Sequence, residues 1–458
     1  MRCIDICYTS DEHQLSITTL SIDFLGQACL SCDSMDWNHT VWQRSVEMFG
    51  EFMEPLARGM GRRERREGAA SYIQGLLMPG GRKSVEPMAE RLGVDKQKLQ
   101  QFVSDSPWGA EALWEALRSE VLPVFGRADS WIVDETGWIK QGNKSVGVAH
   151  QYCGSVGKKA NCQVSVHLAA SNGEAAAPMA ARLFLPEAWI ADPERRRRAG
   201  IPQEVVFRSK PEIALDLVAQ VIGEGLEPAP LLGDCLYGRS GPLRKGLREL
   251  GCPYMLQVES TLKAWTQRPE LRKARTRWAP KTRGPQATSV LEIARSLPSS
   301  QWQHCRWSGS AGRTGSTRLA WIKVWMASDL QEDSGELPET WLVVDWPEQS
   351  PDPYHIYTAW LDGPPERIGL LRLSRQRFQI EQYFQRDKDD LGLDHFEGRS
   401  WRGFHHHLAL AATAYLFILL VYLRAKKNFF PHVGRGAPKD PAVIDSIHRL
   451  LPVLQNQI

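Results

Sequence analysis

Ser130-Trp-Ile-Val-Asp134 is a short apolar run that ends in a carboxylate, and Pro230-Leu-Leu-Gly-Asp234 repeats the pattern far downstream. A run of four mostly apolar residues closed by an acid reads as a buried strand that delivers one charged side chain to a sheet edge. After the first run come two more strand-like segments, Lys144 to Cys153 and Ala160 to Ala170, with Cys153-Gly-Ser-Val-Gly157 as the turn between them. Three strands joined by short turns predict an antiparallel meander. A polar and basic excursion fills 171–210. Then the period changes: Glu212 to Ile222 predicts a helix, 230–234 a strand, Pro242 to Leu250 a helix and Pro253 to Val258 a strand. A meander followed by alternating helix and strand matches an α/β, ribonuclease-H-like core. The first and fourth strands are neighbours in that core, so Asp134 and Asp234 are expected side by side.

Residues 261–355 interrupt the pattern. Strand-like runs at Thr317 to Met326, Thr340 to Asp345 and Tyr354 to Trp360 predict a largely β insertion before the core resumes over 356–425. The resumed part contains Arg375-Gln-Arg-Phe-Gln-Ile-Glu-Gln-Tyr-Phe-Gln-Arg-Asp-Lys388, which has no Pro or Gly and predicts one helix. At about 100° per residue, Arg377, Glu381 and Lys388 fall on one face. An isolated helix with that stripe would be a salt-bridged surface. Two upstream aspartates change its meaning, because three carboxylates from distant segments make an oxygen-donor set for Mg²⁺ or Mn²⁺. Glu135 should point to the opposite face of the strand from Asp134 and is the poorer ligand.

Ahead of the core, 37–125 reads as helical. Val85 to Val103 predicts a short helix, a turn at Gly93, an Asp95 N-cap and a second helix with the apolar stripe Leu99, Phe102 and Val103. This is helix-turn-helix patterning, with Lys96, Gln97, Gln100 and Gln101 on the outer side for phosphates or base edges. Basic runs at 61–66, 194–198 and 263–283 are further candidate phosphate contacts. The net charge of +3 announces no nucleic-acid partner by itself.

Residues 1–36 look unlike the rest, with Met35 or Met48 as alternative starts, and 426–458 reads as a basic tail. Nine scattered cysteines suggest a reduced, intracellular protein. Cys3, Cys7, Cys29 and Cys32 are too loosely spaced for a zinc site, and none is expected. Leu408 to Leu423 is sixteen residues long, short of the ~20 a spanning helix needs. It is expected as a buried core helix, with no membrane partner.

Val133-Asp-Glu-Thr-Gly137 and Gly233-Asp-Cys-Leu-Tyr-Gly238 resemble the first two aspartate motifs of bacterial insertion-sequence DDE transposases. The third resembles the Y-x2-R-x3-E-x6-K signature of the branch with a β insertion: Arg377, Glu381 and Lys388 fit, while the tyrosine position is Ser374. Val85 to Trp108 and Tyr237 to Leu243 look most like the insertion-sequence 701 family. The resemblance implies catalysis by Asp134, Asp234 and Glu381, which would hold two divalent ions, Mg²⁺ or Mn²⁺, about 4 Å apart. It implies phosphate contacts from Arg377, Lys388 and Tyr237. It also implies cut-and-paste transposition through a DNA hairpin, by a homodimer on terminal inverted repeats and target DNA in the bacterial cytoplasm and nucleoid. An insertion aromatic, among Trp302, Trp307, Trp321, Trp325, Trp341 and Trp346, would stack on a flipped base. A DNA-binding protein without catalysis, or a structure-selective nuclease, would carry much the same pattern.

Overall fold

The computed structural model describes residues 39–271, 282–308, 314–330, 337–363 and 365–429. The proposed extension 1–36, its four cysteines, and the tail 430–458 lie outside them, as does the middle of the 263–283 basic run. Helices α1 (His39–Arg58), α2 (Arg63–Leu77), α3 (Val85–Leu92), α4 (Lys96–Ser104) and α5 (Ala110–Glu120) come first. Gly93 closes α3 in the left-handed conformation at φ 65°, where a side chain would be strained. The Asp95 carboxylate then accepts the Gln97 amide and starts α4, whose Leu99, Phe102 and Val103 are buried.

Strands β1 (Ser130–Ile139), β2 (Ala149–Cys153), β3 (Lys158–Ser171) and β4 (Ala176–Leu183) follow, then α6 (Lys210–Gly223), β5 (Leu231–Gly233), α7 (Cys235–Gly238), α8 (Gly241–Glu249) and β6 (Tyr254–Gln257). The meander differs from the expected one. β1 pairs with β3, not with β2, and β4 is the next strand on the far side of β3. β2 forms the expected hairpin with β3 but only extends the sheet beside β4. β1 is also longer than expected and passes through Asp134 to Ile139. The core order is therefore β4-β3-β1-β5-β6, with β5 parallel to both β1 and β6, an order that fits a ribonuclease-H-like core.

The insertion is not a separate sheet. It supplies β7 (Lys263–Trp265), α9 (Val290–Ser296), β8 (Gln303–Ser308), β9 (Thr314–Met326) and β10 (Thr340–Pro347). β11 (His355–Trp360) pairs with β6 on one side and β10 on the other, so core and insertion share one twelve-stranded sheet. One face of these strands, with Val324, Leu342, Val344 and Ile356, packs on α9 as a second core. A buried ion pair fastens the insertion to the core. Arg244 of α8 and Asp329, just after β9, are both fully buried and 2.6 Å apart.

The expected single helix over 375–388 is two, α10 (Arg367–Gln376) and α11 (Phe378–Asp389), with Arg377 at the junction. The apolar helix α12 (Trp401–Phe429) is also longer than expected. Its apolar part, Trp401–Leu423, is long enough to cross a membrane, yet 78% of that window is buried in the protein. It packs against α2, α4, α5 and β4. His405, His406 and His407, just ahead of the expected start at Leu408, lie inside it, with His406 and His407 buried against backbone carbonyls of Val103, Trp108 and Leu393.

Candidate active site

β1 and β5 run parallel with Trp131 level with Leu231 and Ile132 level with Leu232. Asp134 and Asp234 each lie two residues further on, so the sheet carries them forward together on strands about 4.8 Å apart. Each is held by local backbone. Asp134 accepts the Glu135 amide at 2.8 Å, and Asp234 caps α7 by accepting the Leu236 amide at 2.8 Å. Burial is the main reason that the Asp134 carboxyl titrates well above the usual range; the guanidinium of Arg377 opposes that, and Asp234 and Glu135 add to it. Asp234 is raised too, first by burial and then by Glu135, against Arg377 and its own amide donors.

Glu381 arrives from α11. Ile380, Tyr383 and Phe384 are buried, which sets that face of the helix inward and leaves Glu381 on its outer side. Arg377 joins the two halves of the site. Its guanidinium lies 3.3 Å from Asp134 Oδ2 and 2.7 Å from Glu381 Oε1. Burial would lower the Arg377 pKa, but the charges of Asp134, Glu381 and Asp234 outweigh burial and raise it. The guanidinium is thus the counter-ion of the carboxylate group. Among the described residues, no three Asp, Glu, His or Cys side chains stand together as a ready chelating set. The donor chemistry nonetheless suits a hard divalent cation, because Asp134, Asp234 and Glu381 offer carboxylate oxygens around a position where positive charge is already stabilised.

The other expected contacts are distributed more widely. Lys388 donates to the Gly137 carbonyl at 3.0 Å, and Gly137 lies three residues beyond Asp134, about 10 Å along the strand. Tyr237 is fully buried, its hydroxyl donating to Glu135 Oε2. Lys96 is exposed on α4 and pairs with Glu86, and Gln100 is exposed and bonded to Ser104. Arg196, in the 194–198 run, donates to the carbonyls of Pro202, Gln203 and Val205, while Arg197 and Arg198 pair with Glu194. Trp302 and Trp346 pack on each other with the Arg318 guanidinium over both rings. Trp321 and Trp341 pack on the main core. The side chain of Trp307 lies outside the described ones. Among the described residues, the large aromatic that the insertion exposes is Tyr354, beside His355 at 4.0 Å and under Arg375 at 5.6 Å.

One member was passed over in the sequence. Glu135 is bonded to Tyr237 and paired with Lys210 at 2.8 Å, and its charge reaches both aspartates. Strand alternation argued against it, and its adjacency to Asp134 was the only signal in its favour.

Residues 55–313 match the DDE superfamily endonuclease family, which is more than half of the chain. The chain belongs to that family. The matched span of this DDE endonuclease contains Asp134 and Asp234 and ends before Glu381. A relative from Microchaete diplosiphon, described as a probable transposase for insertion sequence element IS701, is 34% identical over 183 residues. That alignment covers 39% of this chain and 45% of the relative, so the chain spans less than half of the relative's length.

Proposed function

We propose that this DDE endonuclease is a transposase that cleaves DNA at the ends of a mobile element and joins the freed ends to target DNA. The observation that carries the proposal is the position of Asp134 and Asp234, each two residues beyond the paired Ile132 and Leu232 of adjacent parallel strands, with Glu381 linked to Asp134 through Arg377. Asp134, Asp234 and Glu381 would hold Mg²⁺ or Mn²⁺, as a pair of ions. Bound there, the ions supply an activated water or 3′-hydroxyl and stabilise the leaving oxygen of an in-line displacement. Asp134 and Asp234 are fixed by their amide donors, so they need little reorganisation to bind a cation. Glu381 has its side chain 44% exposed and is the member free to turn. Arg377, once released from Glu381, is placed to hold a phosphate oxygen with a two-pronged contact.

The helical segment 37–125 is the DNA-reading unit in this proposal, with Lys96 and Gln100 of α4 on its exposed side. The segments 126–260 and 356–425 form the catalytic core around the insertion 261–355, and the tail 426–458 adds basic charge. Lys388 supports β1, and Tyr237 acts through Glu135. The reaction is cut-and-paste, runs through a hairpin intermediate, and is carried out by a homodimer on terminal inverted repeats in the bacterial cytoplasm. The insertion-sequence description of the relative supports this reading.

A strand-transfer assay with pre-cleaved terminal-repeat DNA tests it. Mg²⁺-dependent joined product is expected, and it should vanish in Asp134→Ala, Asp234→Ala and Glu381→Ala. Cleavage without joining would point to a structure-selective nuclease. DNA binding without metal-dependent cleavage would point to a binding protein on the same fold. Full activity in all three variants would refute the assigned site.

A further inference from the structure

Glu135 joins three segments of the site. Its Oε2 accepts the Tyr237 hydroxyl at 2.8 Å, and its Oε1 lies 2.8 Å from Lys210 Nζ. Tyr237 is fully buried and follows Asp234 by three residues, in the one-turn helix that Asp234 caps. Lys210 is the first residue of α6, whose start is fixed by reciprocal bonds between Ser209 and Glu212. The Glu135 and Lys210 side chains are 19% and 16% exposed, so each is confined.

The link matters because the pairing between the two strands that carry the aspartates stops short of both of them, although β1 stays paired with β3 through Asp134. The recorded pairing of β1 with β5 covers Trp131 and Ile132 and stops there. Beyond it, the Asp234 turn is pinned on its far side by Gly238, where a Cβ would lie 1.8 Å from the Gln257 carbonyl oxygen. On the β1 side, the Tyr237–Glu135 bond ties the turn to the residue next to Asp134. A carboxylate so close to two others would also repel them and compete for any cation. The Lys210 ammonium answers that charge.

We propose that Glu135, braced by Tyr237 and Lys210, is a positioning residue that fixes the spacing of Asp134 and Asp234 without touching the cation. The inference rests on the reading of those aspartates as cation-holding, and partners that orient such ligands typically change affinity about 10- to 100-fold when removed.

The test measures Mn²⁺ binding calorimetrically on the full-length protein, with thermal melting in EDTA as a check on the fold. Tyr237→Phe removes one oxygen and keeps the ring; Glu135→Gln and Lys210→Met remove the charges; Asp134→Asn is the reference. Tyr237→Phe and Glu135→Gln should each weaken Mn²⁺ binding about 10- to 100-fold, and Lys210→Arg should bind more tightly than Lys210→Met. Tyr237→Phe decides the matter if Glu135→Gln does not fold. Binding within twofold of wild type in Tyr237→Phe overturns the proposal. So does a Glu135→Gln variant as defective as Asp134→Asn beside an unaffected Tyr237→Phe, since Glu135 would then be a ligand. Wild-type Mn²⁺ binding by Asp134→Asn would instead refute the cation-holding reading, and the inference would fall with it.

Discussion

If Arg377 is the resident counter-ion of the carboxylates, replacing it should expose a charge problem that a divalent cation can solve. Arg377→Met keeps most of the bulk and removes the guanidinium. The contact to Glu381 involves a carboxylate side chain that is 44% exposed, so water screens it and its loss costs well under ~1 kcal/mol. The contact to Asp134 is different, with side chains 27% and 15% exposed. Removing one partner of a fully buried pair costs about 3–5 kcal/mol, and the residual exposure here places the loss near or below the lower end. Protonation of Asp134, whose carboxyl already titrates high, limits it further. The expected loss in EDTA is therefore about 2–3 kcal/mol, read as a drop of a few degrees in melting temperature. Saturating Mg²⁺ or Mn²⁺ at 100 times its dissociation constant would return about 2.7 kcal/mol. The variant should gain more from the metal than wild type does, because in wild type the cation must also displace the guanidinium from Asp134 and Glu381. Thermal melting of both proteins in EDTA and in metal checks this. A variant that melts with wild type in EDTA, or an identical metal increment in both proteins, would refute the shared use of these oxygens.

Arg244→Met should destabilise the protein by up to about 3 kcal/mol, because it leaves the fully buried Asp329 carboxylate with the longer Arg248 contact at 3.5 Å. Adding Asp329→Leu should recover much of that loss, and denaturant melts of the single and double variants compare the two. Gly238→Ala has no room for its methyl group and should lower soluble yield and melting temperature, whereas Gly223→Ala meets nothing within 4 Å and should be neutral or gain up to ~1 kcal/mol. Acid should unfold the chain steeply. Burial lowers His167 to about 3 and His405 and His407 to about 4, so the folded state keeps them neutral while the unfolded state protonates below about 6.5. Stability present above pH 6.5 is then lost as pH falls toward 4, at up to ~1.4 kcal/mol per pH unit for each histidine. The buried Asp387 carboxyl, raised to about 7, opposes this loss, so the histidine contribution is read in Asp387→Asn, where a melting temperature that stays flat from pH 7 to 5 would contradict it.

The strands that deliver the aspartates were legible because their apolar runs are continuous, as expected for strands covered on both faces. β4 was not. Ala176-Ala-Pro-Met-Ala-Ala-Arg-Leu183 lacks β-branched and aromatic residues and contains a proline, so local preference points away from a strand. Tertiary context overrides that preference. Among the described strands β4 pairs only with β3, where Pro178 sits next to a register shift and its missing N–H is tolerated at an edge, while α12 covers the strand. Without β4, the meander was assigned to the wrong three strands. The break at Arg377 was equally silent, since Arg375 to Lys388 contains no residue that ends a helix. The start of α12 is hidden because three consecutive histidines suggest a polar boundary, whereas here His406 and His407 are buried, His405 is half-buried, and all three bond to backbone carbonyls.

The site shows the same division between residue type and residue partner. Helical spacing put Arg377, Glu381 and Lys388 on one stripe, and Arg377 does meet Glu381. It also reaches across to Asp134, and no spacing within the helix could have indicated that contact. Lys388 turns to a backbone carbonyl of β1 instead. Alternation placed Glu135 away from Asp134, and within a paired strand that inference is sound. It fails here because β5 ends at Gly233, which leaves the edge of β1 open beyond Ile132 on that side. A glutamate is long enough to turn into the opening and meet Tyr237 and Lys210. The end of a neighbouring strand therefore decides which side chains enter the site, and that end is set by the Asp234 cap, not by β1. The two aspartates and the glutamate that was set aside are consequences of one local event, the conversion of β5 into α7 at Asp234.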